Sequence, residues 1–436
     1  AEFMMKIFFN TIKSFLLILL FTTALQAGGV NRTSLFGAKS SALNGLYFAG
    51  IDGVSNIYYN PAGLASLRGQ AVEVSAFLRS EQNKFEGDIK GLFNSLREDD
   101  LNGGIGGYYN ISEGLTAAIG IEAFYDYRTT WPYIVLSKRD ATLITIGTDM
   151  FNQSFMEMIS PAIAYKVDDF SVGLAVNVFR NTVKTSFALG NNKWKNNVGL
   201  PVYQTDINGD AWSFNINLGF MYQVNEDLRL GLSVLSGTSQ DLTGEAKTNL
   251  FAVTDSAATF TNVSSTYQTP WRIGFGGVYN LSSDLILNVD LKYNLYGSLD
   301  KEIKYEFENS VWQANAMNSD SLTGFTLGSQ PLEYKNSFEA GFGLEYMAAP
   351  DLNIYFGYKY VSSPNQEKTF SLLNPQVAFN QISAGLTYFD EEMSVSLSVA
   401  YYKGIEEEVK NGSYPIHNGV YNLDGLIPTL TFRFNL

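Results

Sequence analysis

Apolar and polar residues alternate strictly in one segment after another along most of this chain. Within residues 213–224, every second residue from Phe214 to Val224 is apolar, and the residues between them are mostly small or polar. A period of two puts neighbouring side chains on opposite faces, which is typical of a β-strand and not of a helix. Fourteen segments of this kind lie near residues 70–79, 103–110, 115–126, 159–167, 170–183, 211–224, 228–236, 269–280, 285–296, 333–347, 352–362, 379–389, 393–404 and 426–436.

The connections between these segments alternate between short and long. The short ones are polar turns at residues 112–114, 168–169, 225–227, 282–284, 350–351 and 390–392. Short periplasmic turns and long external loops are typical of outer-membrane barrels, and the segments are about long enough to cross a bilayer as tilted strands. Residues 68–436 are therefore predicted to form an all-β fold, a 14-stranded antiparallel transmembrane β-barrel in the outer membrane of a Gram-negative cell. The alternative is a soluble multidomain β protein, which would have to bury an aromatic stripe on nearly every strand.

The composition excludes several classes of function. Among 436 residues, 43 are Asp or Glu and 29 are Lys or Arg, and the net charge of −14 argues against nucleic-acid binding. With no cysteine and one histidine, thiol chemistry and the usual zinc sites are excluded, and we expect no cofactor and no metal. His417 near Ser413 would make a barrel lipase only with an acid that the sequence does not place, so we expect no enzyme. Residues 206–210 resemble half of a calcium loop but lack its glycine position and its Glu, so a polar loop tip is predicted.

The N-terminus has the features of a targeting sequence. Residues 1–3 precede two methionines and are interpreted as a cloning scar. Residues 4–27 combine Lys6 and Lys13 with a short apolar run and small residues up to Ala27, which predicts a signal peptide cleaved after Ala27. The alternative, a membrane anchor, needs a longer apolar run.

Residues 28–67 do not alternate and form a candidate separate domain. They are rich in Gly, Ala and Ser and contain aromatic residues at Phe36, Tyr47, Phe48, Tyr58 and Tyr59. An unstructured tail is one interpretation, but the aromatic residues favour packing. A barrel of this size lies between those filled by side chains and those that leave a water channel. We therefore predict that residues 28–67 are a hatch, or plug, inside the barrel.

A motif in this domain resembles a known family. Its residues are Asp52, Asn56 and the run Asn60, Pro61, Ala62 and Gly63. They resemble the N-terminal hatch of the FadL/OmpP1/TodX family of outer-membrane transporters for hydrophobic compounds, which also has fourteen strands, a signal peptide and an aromatic-rich last strand. Pro61 restricts Asn60 to extended backbone, so the pair also serves as a turn.

The resemblance implies a passive transporter for hydrophobic molecules, with long-chain fatty acids as the first expectation. The ligand would bind at the external loops and in the lumen, then leave laterally through the barrel wall as the hatch moves. A second function stays open, because some FadL-like barrels act as outer-membrane partners or scaffolds of a secretion system. Bound lipid in the barrel would favour transport, and a stable protein partner on the external loops would favour the scaffold.

Ionisable side chains of both signs are predicted to face the lumen. They are Glu122, Arg229, Arg272, Asp290, Lys292, Glu339, Glu345, Lys359 and Arg433. Mutual pairing that holds the barrel's shape is the simpler interpretation, because buried charges need partners. The functional interpretation is that Arg272, Lys292, Lys359 or Arg433 binds an anionic head group.

Further candidates concern the external mouth and the barrel wall. Residues 85–97 have helical spacing and offer Phe85, Leu92 and Phe93 to an apolar ligand. A glycine cluster in the second strand is a candidate wall kink: Gly103, Gly104, Gly106 and Gly107. Aromatic residues near strand ends are predicted to form two interfacial girdles: Trp131, Tyr222, Trp271, Tyr279, Tyr293, Tyr346, Tyr360 and Tyr388. As partners we expect outer-membrane lipids and lipopolysaccharide, a hydrophobic small molecule and the barrel-assembly machinery. We expect no nucleic acid, and a monomer.

Overall fold

The structure, a computed structural model, describes most of the chain. The described residues are 36–87, 92–131, 135–137, 143–145, 149–189, 203–248, 259–316, 326–413 and 417–436. The predicted cloning scar and signal peptide lie outside these residues. No helix in the described ranges is long and apolar enough to cross a bilayer.

Fourteen antiparallel strands form a closed barrel, which confirms the predicted fold class. The strands are β1 (Gln70–Gly87), β2 (Glu98–Ser112), β3 (Leu115–Trp131), β4 (Met150–Val167), β5 (Phe170–Leu189), β6 (Tyr203–Gln223), β7 (Leu228–Leu235), β8 (Arg272–Asn280), β9 (Leu285–Asn294), β10 (Ser337–Ala349), β11 (Leu352–Val361), β12 (Phe379–Phe389), β13 (Met393–Gly404) and β14 (Gly419–Asn435). The ring closes between β14 and β1, from the pair Ala71 and Asn435 to the pair Gly87 and Gly419. Closure leaves no exposed sheet edge, as a bilayer requires.

Shorter elements lie mainly at the end of the barrel with the long loops. Additional strands are Leu92–Asn94, Val135–Ser137, Leu143–Thr145, Thr238–Thr248, Phe260–Thr269, Glu302–Phe307, Ser329–Pro331 and Glu407–Val409. The α-helices are α1 (Ala38–Ala42), α2 (Asn56–Tyr59) and α3 (Ser310–Asn315), and 3-10 helices span Pro61–Ser66, Tyr296–Ser298 and Glu367–Thr369.

Two sequence predictions at this end are wrong. Residues 206–210 lie inside β6, where they pair with residues 243–247 instead of forming a loop tip. Residues 85–97 do not form a helix in their described part, because Phe85 belongs to β1 and Leu92–Asn94 pairs back onto residues 84–86. In both places a partner strand satisfies the backbone and overrides the local sequence pattern.

The outer face of the barrel is apolar, as a lipid-facing surface must be. Six of the predicted girdle residues are exposed on it: Tyr222, Trp271, Tyr279, Tyr293, Tyr346 and Tyr388. Tyr360 is half-buried. Trp131 was expected in the same girdle, but it is fully buried and its Nε1 donates to the carbonyl of Leu372 at 2.6 Å. The girdle prediction is therefore wrong for Trp131, which points into the barrel.

The described part of the N-terminal domain, residues 36–67, packs against inward-facing residues around the barrel and is termed the N-terminal segment. The backbone N–H of Ala38 donates to Thr431 of β14 at 2.9 Å, and that of Phe48 donates to Asp290 of β9 at 2.9 Å. Nearly every residue of the segment is buried. Contacts to strands so far apart place it within the lumen.

Candidate functional site

Asn60 is the central hydrogen-bonding residue of the N-terminal segment. Its Nδ2 donates to the carbonyl of Phe48 at 2.5 Å and to the carbonyl of Phe220 in β6 at 3.1 Å. Its Oδ1 accepts from the N–H of Ala62 at 3.1 Å and so caps the 3-10 helix that starts at Pro61. One fully buried side chain therefore joins two parts of the segment to the barrel wall.

Asn56 organises the turn that precedes α2. Its Oδ1 accepts from the N–H groups of Asp52 and Gly53 at 2.8 and 3.2 Å, and its Nδ2 donates to the carbonyl of Gly50 at 2.8 Å. Gly63 packs so closely against this amide that a Cβ at Gly63 would come within 2.3 Å of Asn56 Nδ2. The motif residues thus hold one another and fix the shape of the segment.

Charged side chains tie the segment to the wall. Arg433 donates from Nη2 to the carbonyl and the carboxylate of Asp52, and from Nε to Glu73 at 2.8 Å. Lys39 forms an ion pair with Glu345 at 3.1 Å. Burial would lower the pKa of Lys39, but its neighbours, Glu345 among them, raise this pKa well above its ordinary value. These contacts agree with the interpretation that lumen charges pair with one another. The guanidinium of Arg433 binds the N-terminal segment and is not directed at a ligand.

Wall glycines let the segment approach the strands closely. A Cβ at Gly173 would lie 2.2 Å from the carbonyl carbon of Pro61, and one at Gly231 would lie 2.0 Å from the carbonyl oxygen of Phe48. Both distances are shorter than any real contact, so these positions require glycine where backbone meets backbone.

The glycine cluster of β2 serves the same packing and does not form a wall defect. Gly103, Gly104, Gly106 and Gly107 pair without a register shift with β1 on one side and β3 on the other. A Cβ at Gly106 would lie 2.5 Å from Val54 of the segment. The described pairs therefore show no kink within this cluster, and the ladder between β2 and β3 ends at its first member, Gly103.

An interruption of the wall does exist, nearer the long-loop end. The pairing of β2 with β3 ends at Gly103 and Ala123. Beyond it, residues 98–102 remain paired with β1, residues 124–131 remain paired with β4, and β3 changes register between Tyr125 and Tyr127. Both stretches of backbone are described in full, and the ladder between them is missing.

Side chains bridge this interruption, which is termed the β2–β3 gap. Arg128 of β3 contacts Glu98 of β2 through Nε at 3.0 Å and Asp100 of β2 through Nη1 at 2.6 Å. A single backbone hydrogen bond, from Leu96 N–H to the carbonyl of Thr130 at 2.8 Å, closes the gap at its outer end. An ion-pair cluster thus replaces backbone pairing at one place in the wall.

A group of buried and half-buried cations lies on the inner face of β8 to β11. Lys292 and Lys359 each contact one oxygen of Glu339, the latter at 3.3 Å. Arg272 lies diagonal to Lys292 on the neighbouring strand, and its buried Nε has no hydrogen-bond partner in the described part of the chain. Two lysines therefore share the carboxylate of Glu339, and Arg272 lies beside Lys292. These three cations outnumber the nearby carboxylates of Glu339 and Asp290 by one, so the cluster carries an excess of positive charge.

An apolar cleft opens at the long-loop end of the barrel. Its empty space is about 650 Å³, including the part open to solvent. Its apolar and aromatic lining is Val183, Ile207, Leu242, Val263, Tyr267, Ile303, Tyr305, Leu332 and Tyr334, and neutral polar groups such as Asn152 and Asn374 complete it. None of the lining residues in the described ranges carries a charge. The cleft therefore suits the uncharged body of a ligand.

The expected apolar contacts at the mouth are only partly described. Phe85 is fully buried against Tyr421, with ring centroids 4.8 Å apart, so it is not available to a ligand at the surface. The side chains of Leu92 and Phe93 lie outside the described part of the structure. The cleft residues and Arg128 were not predicted, since they come together only through the register of distant strands.

Together these features define a class: an outer-membrane barrel whose lumen is occupied by its own N-terminal segment and whose mouth offers an apolar cleft. Residues 18–433 match the family described as outer membrane protein transport protein (OMPP1/FadL/TodX), and the chain belongs to this family. It is therefore an outer-membrane protein of a family that transports hydrophobic compounds, not of a family of enzymes.

Individual relatives are distant. The chain is 25% identical over 358 residues to outer membrane protein P1 of Haemophilus influenzae, covering 80% of this chain and 66% of that protein. It is 25% identical over 214 residues to the long-chain fatty acid transport protein of Escherichia coli O157:H7, covering 48% of this chain and 46% of that protein. The chain thus spans less than two thirds of the length of either relative.

Solved structures show the same fold. A Pseudomonas aeruginosa FadL homologue superposes with a TM-score of 0.72 at 15% identity, covering 94% of this chain and 99% of that one. The Pseudomonas putida toluene transporter TodX also gives 0.72, at 14% identity, covering 92% and 99%. At such identities the likeness concerns the fold alone.

Proposed function

We propose that this barrel carries long-chain fatty acids passively across the outer membrane. The observation that carries the proposal is the cluster in which Lys292 and Lys359 share the carboxylate of Glu339 and Arg272 lies beside Lys292. Buried charges are stable when they are paired, so an excess of cations in a lumen favours an anionic ligand. A fatty acid supplies one carboxylate and an apolar chain. One relative, the long-chain fatty acid transport protein, bears such a ligand in its name.

The external cleft supports the same ligand class from its other end. Its lining is uncharged and largely apolar, so it can shield an alkyl chain from water. We propose that the chain first binds in this cleft, and that the carboxylate then binds at the cation cluster. A purely apolar compound would use the cleft but would gain nothing from the cations.

For the exit, we propose lateral release through the β2–β3 gap. A missing ladder is the place where a wall can open at least cost, because only one backbone hydrogen bond, from Leu96 to Thr130, needs to break there. Arg128 closes the gap through side chains, which can move while both strands stay paired to their other neighbours. Movement of the N-terminal segment, which packs on Gly104 and Gly106 beside the gap, would accompany the opening.

The test compares a fatty acid with its uncharged analogue. Lys359→Met should weaken binding of oleic acid to the purified barrel by about 1 to 3 kcal/mol, the range for losing a charged hydrogen bond. Binding of oleyl alcohol should stay unchanged. Lys304→Met, which removes a lysine that is 73% exposed, is the matched control and should affect neither ligand.

Uptake by whole cells decides between the two functions. Cells that lack their own transporter should take up labelled oleic acid when they express the chain, and lipids co-purified with the barrel should include fatty acids by mass spectrometry. If the wild-type chain supports no uptake, and a protein partner co-purifies on the external loops instead, the scaffold function replaces transport.

A further inference from the structure

The connection between β11 and β12, residues 362–378, is termed the lid loop, and it folds into the mouth of the barrel. Its central residues Phe370, Leu372 and Leu373 are at most 2% exposed. They belong to the same apolar cluster as Trp131 and Met150, which lie at the ends of β3 and β4. A long loop with an exposed position would instead present polar residues to water.

The tip of the lid loop is fastened to the far wall. Trp131 Nε1 donates to the carbonyl of Leu372 at 2.6 Å, and Asn152 Nδ2 donates to the carbonyl of Leu373 at 2.9 Å. These donors belong to β3 and β4, on nearly the opposite side of the ring from β11 and β12. The loop therefore crosses the mouth of the barrel.

The base of the lid loop is held differently from its tip. Asn365 Nδ2 donates to the carbonyl of Asn374 at 2.7 Å, and the backbone N–H of Lys335 donates to the carbonyl of Pro364 at 2.8 Å. Glu367 accepts from the N–H groups of Lys410 and Asn411 at 2.9 Å each. The base is thus built into the neighbouring loops, whereas two side-chain donors connect the tip to the far wall.

The cleft and the lid loop share residues. Asn152, which holds Leu373, also lines the cleft, and so does Asn374 of the lid loop itself. Asn374 Nδ2 in turn donates to the hydroxyl of Tyr334, another lining residue, at 3.0 Å. A molecule in the cleft therefore contacts the groups that hold the lid in place.

We propose that the lid loop is a second barrier, separate from the N-terminal segment, which a ligand in the cleft displaces to enter the lumen. The alkyl chain takes over the apolar contacts of Leu372 and Leu373, so the tip moves away without leaving that surface in water. The base stays in place and acts as the hinge. The identity of the ligand rests on the function proposed above, but the existence of the barrier does not.

The test uses the absence of cysteine from the chain. Ser154→Cys places the only thiol on the inner face of β4, two residues from Asn152 toward the short-turn end, at a side chain that is 1% exposed. A membrane-impermeant maleimide added to whole cells then reports how often the mouth is open. In this background, Trp131→Phe with Asn152→Ala removes both donors to the tip.

The double variant should react roughly thirtyfold faster, since it removes two neutral hydrogen bonds of about 1 kcal/mol each from the contacts that hold the tip closed. The matched control, Trp271→Phe with Asn315→Ala, makes the same two types of substitution at positions that do not contact the lid loop. It should react with the maleimide as fast as the parent does. Oleic acid added to the parent should also accelerate the reaction. Mobility on unheated gels shows for each variant that the barrel has assembled.

Two results would overturn the proposal. Equal reaction rates in the double variant and its control would show that the tip is not what protects the thiol. If oleic acid binds the purified barrel but leaves the labelling rate of the parent unchanged, the closure is fixed and is not a displaceable lid, and this arm needs no lid variant to fold. Conversely, if the double variant is labelled faster but the wild-type chain takes up no fatty acid, the lid proposal stands and the proposed transport of fatty acids is rejected.

Discussion

Replacement of Asn60 tests how the N-terminal segment is held in the lumen. Asn60→Ala removes two donated hydrogen bonds, to Phe48 and Phe220, and one accepted from Ala62. At about 1 kcal/mol for each bond, docking of the segment should weaken by about 2 to 3 kcal/mol. Asn60→Asp keeps the side-chain volume and the acceptor oxygen but places a carboxylate against the carbonyls of Phe48 and Phe220. It should therefore weaken docking of the segment at least as much as Asn60→Ala.

The assay is hydrogen–deuterium exchange in detergent, followed separately for residues 48–67 and for the barrel strands. An energy of 2 to 3 kcal/mol corresponds to roughly 30- to 150-fold faster exchange in the segment. The strands should exchange as in the wild type, because their ladders do not depend on Asn60. Asn280→Ala, at a surface turn, is the control.

Two outcomes would refute this reasoning. Wild-type exchange in Asn60→Asp would mean that the donated bonds do not hold the segment. Loss of the barrel itself in either variant would mean that the segment and the wall form one cooperative unit.

Three further predictions address the wall, the lid and the lumen. Arg128→Met removes the ion pairs to Glu98 and Asp100 across the β2–β3 gap and should weaken its closure by about 1 to 3 kcal/mol, less than for a fully buried pair because Arg128 is 31% exposed. Faster exchange of residues 96–102 is the expected signal, and no change would exclude the ion pairs as the closure. His417 Nδ1 accepts from the backbone N–H of Leu372 at the tip of the lid loop at 3.4 Å. Burial lowers the pKa of His417 to about 3, so between pH 6.5 and 3 the opened state binds more protons and closure weakens as pH falls, by about 2 kcal/mol at pH 5. Thiol labelling below the lid should accelerate from pH 7 to 5, and His417→Phe should abolish that dependence. Deletion of residues 28–66 should leave an assembled barrel. Single-channel recording should show strong ion conduction only when this deletion is combined with Trp131→Phe and Asn152→Ala, which release the lid loop. Unchanged conductance in that combination would mean that neither the N-terminal segment nor the lid loop blocks the lumen.

The sequence predicts the membrane-spanning part of the fold well, because a lipid-facing surface imposes alternation. Outside the bilayer that constraint is lost, and the strands there were missed. In residues 203–210 of β6 and in the strand Thr238–Thr248, the buried face itself includes polar residues such as Thr205 and Gln240, so the sequence alternation there is weak. Their regular strand conformation depends on pairing with a partner strand.

The site was less predictable, because most of it depends on which strands become neighbours. Asn60 could be predicted, since Pro61 fixes the local backbone. Arg128 pairs with Glu98 across a gap that is visible only once the register is known. The glycines of β2 were misread because a glycine that admits a packed segment and a glycine that weakens a strand look the same in one sequence.

The contacts of the N-terminal segment also set an order for assembly. It precedes every strand in the chain, yet its partners include Asp290 in β9 and Thr431 in β14. Thr431 pairs with Ser75 of β1 only after the last strand has met the first. The N-terminal segment is therefore synthesised before every strand, yet it is among the last parts to reach its native contacts, and until then its apolar residues need protection in the periplasm.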